Sequence, residues 1–486
     1  MSDHAAHEVP WALLTYAVNK AITVATTIAL ARLVAPREFG LVALATLTVQ
    51  TISLFNDLGM GGALVLRQDL DRRAVGTMLT LMVGMHTVIA LVIFATAPLA
   101  ALAFGEPRLT GILAALSGGV VLSGVSWFQE ALLQRELQFR RRFLAQAAQS
   151  GTYAGVALAL AFAGAQVWSI VIGQIAAVGA YTLALFALLP WRVRPAFDRA
   201  AARDAFATGR GFLVQGGLAF LRGNVDYFAV GRILGARQLG FYSMAYRLGE
   251  LPYYAIADPV ARVTFPAFAR MRARGEDVAP RFLTTLRLVA LVSCPLGVLL
   301  SAAAGPFTRA VLGPAWLPMI GPLEVLGVWA ALRPLQVTIG WLLNSVGQAG
   351  LMGTLSAVIL LPLLLGVCAA AWLGSITTVA LVMLTEVVIS LIACAIFVQR
   401  RAGVTLARQW KAVEPVAAAC PLAWLAAAGV SRLHTNEPAL LTLLGSVAAG
   451  TLVYAAVVSL VAPGTFPYAL RRAREMVSRP AVLPGG

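Results

Sequence analysis

Long apolar segments separated by short polar turns run through the whole sequence. Each segment has about the 20 residues that a helix needs to cross a hydrocarbon layer roughly 30 Å thick. The pattern predicts an all-α polytopic membrane protein with about fourteen transmembrane helices, and the shortest interruptions between them fall at 163–168 and 373–376. The predicted spans are 10–34, 38–63, 75–104, 108–133, 144–165, 167–190, 206–231, 237–265, 283–308, 318–343, 348–373, 375–398, 412–431 and 438–461.

One segment of the chain is repeated. The stretch ARLVAPREFGLVALA at 31–45 returns without a gap as GRILGARQLGFYSMA at 231–245. Six predicted helices separate the copies, so both have the same orientation in the membrane. The repeat predicts two six-helix lobes related by a pseudo-two-fold axis along the membrane normal, followed by two C-terminal helices. The predicted domains are an N-lobe at 1–200 (helices 1–6), a C-lobe at 201–400 (helices 7–12), and helices 13–14 with a basic tail at 401–486.

The repeated segment itself has structural features. Gly40 and Gly240 occupy equivalent positions, and small residues there allow helices to approach closely near the outer face. Arg32 and Arg232, at the outer ends of helices 1 and 7, are expected to extend their charged groups toward water. The repeat is therefore expected to build a helical hairpin and not to bind cargo.

Composition and charge support the membrane assignment. The chain is 59% hydrophobic and 12% charged, with a net charge of +16. In a soluble protein such a positive charge would suggest binding to nucleic acid. Here the excess positive charge lies in the loops and tails between and after the predicted spans. With a cytoplasmic N-terminus, inside loops and the tail carry 23 basic residues and outside loops carry seven. This asymmetry predicts a multi-pass protein of the bacterial cytoplasmic membrane with both termini cytoplasmic and no nucleic-acid partner.

Enzyme motifs are missing from the sequence. Its two lysines, Lys20 and Lys411, do not follow glycine as a P-loop requires. The D-x-D formed by Asp69 and Asp71 lies in a short loop without a catalytic domain. The four cysteines show no C-x-x-C spacing, and the four histidines are scattered. The chain is therefore predicted not to be an enzyme and to carry no metal or cofactor.

Charged and amide side chains inside the predicted spans indicate a polar interior. An ionised group at mid-membrane costs about 2.5–3.5 kcal/mol on insertion scales, so each one needs a partner or a water-filled cavity. Asp57 and Glu386 are candidates for ion coupling. The candidates for lining a cavity are Asn19, Lys20, Gln50, Arg222, Asp226, Arg247, Glu250 and Arg333.

Several stretches resemble a known family. They are 31–45, LFNDLGMGGALVLRQDL (54–70), LLQRELQFRRRFL (132–144), NVDYFAVGRILGARQLGFYSMAYRL (224–248) and RVTFPAFARM (262–271). Together they resemble the polysaccharide-biosynthesis flippase branch (O-antigen and exopolysaccharide repeat-unit exporters) of the multidrug/oligosaccharidyl-lipid/polysaccharide exporter superfamily. The resemblance implies that a polyprenyl-pyrophosphate-linked oligosaccharide is moved from the cytoplasmic to the outer leaflet by alternating access. Its expected partners are this substrate, the bilayer, and a polysaccharide polymerase with chain-length machinery.

Alternatives remain open at this point. A drug/cation antiporter and a peptidoglycan-precursor (lipid II) flippase belong to the same superfamily. Basic residues in a cavity would attract a pyrophosphate. The same residues could instead neutralise neighbours, with Arg222 paired to Asp226 and Arg247 to Glu250 along one helix face. Glu386 could bind a coupling ion or pair with Arg333.

Overall fold

A computed structural model describes residues 2–54, 72–135, 138–189, 193–199, 203, 217–433 and 437–464. Every regular element in these residues is helical. Numbered in chain order, the main helices are α1 Ser2–Leu33, α2 Pro36–Ser53, α3 Arg72–Phe104, α4 Arg108–Arg135, α5 Phe139–Phe162, α6 Val167–Leu188, α7 217–229, α8 Gly235–Gly249 continuing through Asp258–Ala273, α9 Ala279–Ala302, α10 Ile320–Ser345, α11 Ala349–Trp372, α12 Ile376–Ala402, α13 Leu406–Leu433 and α14 Ala439–Val461.

The predicted all-α membrane class is confirmed. In the described part of the chain, nine helices are long and apolar enough to cross a bilayer, namely α3, α4, α6 and α9 to α14. The other described main helices also coincide with predicted apolar segments. Their membrane crossing stays a prediction because they are shorter, more polar or only partly described.

Glycine and a polar cap end helices at the two shortest interruptions. After α5, Gly164 has φ +82° and Gln166 has φ +47°, which reverses the chain before α6. After α11, Gly374 has φ +79°, and the Ser375 hydroxyl accepts a 3.3 Å hydrogen bond from the Thr378 N–H at the start of α12. Left-handed glycine and a serine N-cap are common devices for ending one helix and starting the next.

The predicted eighth span is interrupted. Regular α-helical geometry ends at Gly249 and resumes at Asp258, with a wider π-helical turn at Tyr253–Ala257 between them. Pro252 directly precedes this turn, and a proline removes one backbone N–H from the hydrogen-bond ladder. The irregularity therefore falls where the prolines of this span predict a bending point.

The chain forms two compact units, of which the first ends at Gly240 and the second begins at Phe241. Within the first unit, the starts of α2 and α8 meet backbone to backbone. A Cβ added to Gly40 would overlap the carbonyl of Ala236 and lie 3.0 Å from the Gly240 nitrogen. A Cβ added to Gly240 would overlap the carbonyl of Pro36 and lie 3.2 Å from the Gly40 nitrogen. The two copies of the repeat therefore contact each other reciprocally.

Ion pairs join the helix ends beside this contact. Arg108, at the start of α4, donates two hydrogen bonds of 2.9 and 2.8 Å to the carboxylate of Glu38. Arg37 donates a 2.9 Å hydrogen bond to Glu106 in the turn between α3 and α4. Both acids are buried while both arginines stay about half exposed. The first turn of α2 is thus anchored to the α3–α4 turn.

In the second unit, the two C-terminal helices pack against α9. The Tyr454 hydroxyl of α14 donates a 2.8 Å hydrogen bond to the Leu291 carbonyl. The Trp424 indole N–H of α13 donates a 3.2 Å bond to the Ser301 hydroxyl. Because both contacts lie in apolar surroundings, α13 and α14 are an integral part of this unit.

We expect Gly40→Ala and Gly240→Ala each to lower the melting temperature of the detergent-purified protein. An added methyl group would press on a backbone carbonyl that cannot rotate away, and overpacking of this kind costs roughly 1–3 kcal/mol. Gly118→Ala in α4 is the matched control, because no atom lies within 4 Å of its added Cβ. Equal melting temperatures for all three variants would contradict the close contact.

Candidate functional site

The most complete polar cluster in the second unit surrounds Arg333, midway along α10. The guanidinium carbon of Arg333 is 5.0 Å from the centroid of the Trp329 ring, which lies one helical turn earlier. A cation at this distance from an indole face is attracted by the ring quadrupole. Trp329 is fully buried. The arginine is therefore supported by a rigid aromatic surface.

Two carboxylates from other helices face the same arginine. Glu250 of α8 and Glu386 of α12 both interact electrostatically with Arg333. Glu386 is only 6% exposed, and the Ser390 hydroxyl donates a 2.7 Å hydrogen bond to its Oε1. Glu250 is half-buried. One cation between two acids gives the cluster a net negative charge if all three groups are ionised.

Aromatic side chains of α8 extend the cluster. The Tyr246 ring centroid is 5.0 Å from that of Trp329 and 6.1 Å from that of Tyr242. Arg333 also interacts electrostatically with Tyr246 and Tyr253. The Trp329 indole N–H is buried and makes no hydrogen bond among the described residues. The cluster therefore combines flat aromatic faces, a guanidinium and two carboxylates, which can together contact a polar ligand that carries rings and charge.

Arg247, the remaining candidate of α8, is exposed. It lies on the same helix as Glu250, whose side chain is half-buried and belongs to the Arg333 cluster. The structure thus brings Glu250, Arg333 and Glu386 together, and Arg247 lies nearer the surface of its unit.

The first unit contains the other described candidates. Asn19 and Lys20 are half-buried on α1, and Gln50 of α2 is exposed. Both amide atoms of the Asn19 side chain are buried without a hydrogen bond among the described residues. Such an amide is costly in an apolar environment unless a ligand or water satisfies it. The Asn19 amide is therefore available for hydrogen bonds to a polar ligand or water.

Arg222 and Asp226 lie one turn apart on α7. Asp226 is fully buried and Arg222 is half-buried. Asp57, the other acid considered for ion coupling, lies outside the described residues. The described residues contain no group of three or more His, Cys, Asp or Glu that could hold a metal ion.

Two members of the cluster were not anticipated from the sequence. Trp329 precedes Arg333 by four residues, and Ser390 follows Glu386 by four, so each pair lies on one helix face. This i,i+4 spacing was the available signal. The electrostatic interaction of Arg333 with acids of α8 and α12 had no local sequence signal, because it depends on how three helices pack.

Comparisons with known proteins define the class. A family model described as "Polysaccharide biosynthesis protein" matches residues 29–321, more than half of the chain. The chain belongs to this polysaccharide biosynthesis protein family. The family resemblance predicted from the sequence motifs is therefore confirmed.

Relatives agree with this assignment. The chain is 26% identical over 422 residues to the teichuronic acid biosynthesis protein TuaB of Bacillus subtilis, covering 86% of this chain and 87% of TuaB. It is 25% identical over 350 residues to the succinoglycan biosynthesis transport protein ExoT of Rhizobium meliloti, covering 71% and 70% respectively. The polysaccharide biosynthesis family is thus a class of membrane transport proteins and not of enzymes, as predicted.

Solved structures share the fold. The lipid II flippase MurJ in an inward closed conformation superposes with a TM-score of 0.72 at 12% identity, covering 92% of this chain and 98% of MurJ. An inward-facing multidrug resistance MATE family transporter of the MOP superfamily superposes with a TM-score of 0.61 at 13% identity, covering 79% and 95%. At such low identity these likenesses show the MOP fold alone.

We expect Arg333→Leu in this polysaccharide biosynthesis protein to lower the melting temperature, because it removes the cation that interacts electrostatically with two carboxylates. Adding Glu386→Gln should recover part of that loss, since one uncompensated charge disappears. Thermal unfolding of the purified single and double variants measures the coupling.

Arg232→Leu is the control for this experiment, because Arg232 is an exposed arginine in the first unit. It should change the melting temperature little. Strictly additive shifts for Arg333→Leu and Glu386→Gln would mean that the two side chains are not coupled.

Proposed function

We propose that this protein flips a polyprenyl-pyrophosphate-linked oligosaccharide, a polysaccharide repeat unit, from the cytoplasmic to the outer leaflet. The observation that carries the proposal is the family match over residues 29–321. It is supported by TuaB and ExoT, relatives named for teichuronic acid biosynthesis and succinoglycan transport. When the units of such a polymer are built on the cytoplasmic side, they have to cross the membrane before they reach the cell surface.

The proposed orientation has both termini in the cytoplasm. The excess of basic residues in alternate loops supports it through the positive-inside rule. The membrane potential, negative inside, then favours outward movement of an anionic pyrophosphate. Each charge moved through 100 mV gains about 2.3 kcal/mol, so two uncompensated charges gain about 4.6 kcal/mol.

The proposed architecture has an N-lobe at 1–200, a C-lobe at 201–400 and appended helices at 401–486. The reciprocal contact of Gly40 with Gly240 supports a two-fold relation between repeats, because a two-fold axis places equivalent residues against each other. Alternating access in such an architecture exposes a central site to one side at a time.

The proposed binding residues divide by chemistry. Lys20, Arg222, Arg247 and Arg333 are the proposed cationic contacts for the pyrophosphate, and Arg333 has a planar fork suited to phosphate oxygens. The amides of Asn19 and Gln50 bind sugar hydroxyls. Three acids, Asp226, Glu250 and Glu386, are proposed to balance the arginines. Asp57 and Glu386 are separate candidates for binding a coupling ion. A polysaccharide polymerase and chain-length machinery are the proposed partners downstream.

We expect Arg333→Lys and Lys20→Ala each to reduce surface polymer by at least roughly tenfold in a strain that lacks the native gene, since each loses a phosphate contact of more than about 1.4 kcal/mol. Lipid-linked units should accumulate in the inner leaflet. Lipid extraction with leaflet-specific labelling measures this, together with staining of the surface polymer.

Arg432→Lys is the matched control for Arg333→Lys. Arg432 also lies over an indole, with its guanidinium carbon 5.8 Å from the Trp424 ring centroid, but it lies at the end of α13. The control should leave surface polymer unchanged. Normal polymer in both test variants would remove the binding assignment. Accumulation of a peptidoglycan precursor, or altered drug efflux with normal polymer, would favour the two alternative cargo classes.

A further inference from the structure

A pocket in the second unit has no role in the proposed flipping site. It lies between the first turns of α9 and α13 and has a volume of about 280 Å³. Its lining is Leu283, Thr284, Arg287, Arg408, Lys411 and Ala412. The pocket thus offers three cations beside two apolar side chains, and such cations form strong hydrogen bonds with an anion. The Thr284 hydroxyl donates a 2.9 Å hydrogen bond to the Pro280 carbonyl.

The three cations lack a compensating carboxylate. Within the described part of the chain, no acid forms an ion pair with Arg287, Arg408 or Lys411, and no acid lines the pocket. Glu414 follows Lys411 by one turn but is exposed and is not part of the lining. Three like charges around one pocket repel each other, so an added anion would stabilise the arrangement.

The helix termini strengthen the positive potential. Arg408 is the third residue of α13 and Lys411 the sixth, so both lie near the N-terminal end of the helix dipole. Cations there are unfavourable and an anion is favoured, because the helix dipole is positive at this end. Arg287 is the ninth residue of α9, so it lies about 12 Å along the helix axis from the first residue. Its side chain is half-buried.

Apolar side chains beside the pocket indicate the source of the anion. Trp410, next to Lys411, is 58% exposed, and tryptophan is typical of the interface between headgroups and hydrocarbon. Leu422 and Leu425 are also exposed, and they follow Lys411 by 11 and 14 residues, which keeps them on its face of α13. A phosphate in the pocket would therefore have an apolar track beneath it for acyl chains.

We propose that this pocket binds the phosphate of an anionic phospholipid whose acyl chains lie along α13. By the proposed orientation the lipid belongs to the cytoplasmic leaflet, where basic pockets between helices recognise anionic headgroups. The binding itself does not depend on that orientation or on flipping. A free phosphate shares the headgroup chemistry but would gain nothing from Trp410, Leu422 and Leu425.

Native mass spectrometry of the full-length purified protein tests the assignment, with phosphatidylglycerol and phosphatidylcholine as probes. Wild-type protein should retain phosphatidylglycerol in preference to phosphatidylcholine. The triple variant Arg287→Gln/Arg408→Gln/Lys411→Gln should bind phosphatidylglycerol at least about tenfold more weakly, since each cation near a membrane contributes about 1 kcal/mol. Lys411→Arg keeps the charge and should bind like wild type.

The control triple variant is Arg272→Gln/Arg400→Gln/Arg401→Gln. It removes the same charge from exposed positions outside the pocket and should keep wild-type binding. Size-exclusion profiles and melting temperatures without added lipid show that each variant is folded. Equal affinity of the two triple variants would overturn the site. Binding of inorganic phosphate without preferential retention of phosphatidylglycerol over phosphatidylcholine would overturn the lipid assignment and leave a soluble-anion site.

Discussion

An ionised side chain in a hydrocarbon layer needs an opposite charge or water beside it, and the arrangement of charged residues in this protein follows from that constraint. Near the helix ends, Glu38 and Glu106 are buried, and each carboxylate accepts hydrogen bonds from an arginine that stays about half exposed. Deeper in the second unit, Arg333 is supported by Trp329 and faces Glu250 and Glu386. The interacting charges connect helices that are distant in sequence. The same interactions therefore compensate buried charge and hold the helices together.

The Arg333 cluster shows how structural and functional readings of a membrane charge can coexist. Its acids interact electrostatically with the arginine, and in the proposed function the same guanidinium binds an anionic ligand. Exchange of counter-charge between Glu386 and a phosphate would then link cargo binding to the packing of α10 against α12. The hydroxyl of Ser390, which donates to Glu386, would keep that carboxylate satisfied during the exchange.

Most of the fold could be predicted from the sequence, because apolar length decides which segments can cross a bilayer. The helices between Arg108 and Leu188 and those from Ala279 to Val461 lie close to their predicted ranges, and Gly164 and Gly374 mark two of the shortest breaks. The π-helical turn in α8 directly follows Pro252. A proline in the sequence marks where the helical hydrogen-bond ladder is interrupted but not the geometry that replaces it. Contacts such as Arg108 with Glu38, which are 70 residues apart, depend on tertiary packing and had no local signal.

The backbone contact between Gly40 and Gly240 limits the substitutions that can restore its packing. Most tight contacts are made by side chains, so a bulky replacement on one surface can be accommodated by a smaller one opposite. Here the opposing atoms are the main-chain carbonyls of Pro36 and Ala236, which every amino acid carries. No compensating exchange on the facing helix can restore the fit. A larger residue at either position therefore has to move the helix backbone itself.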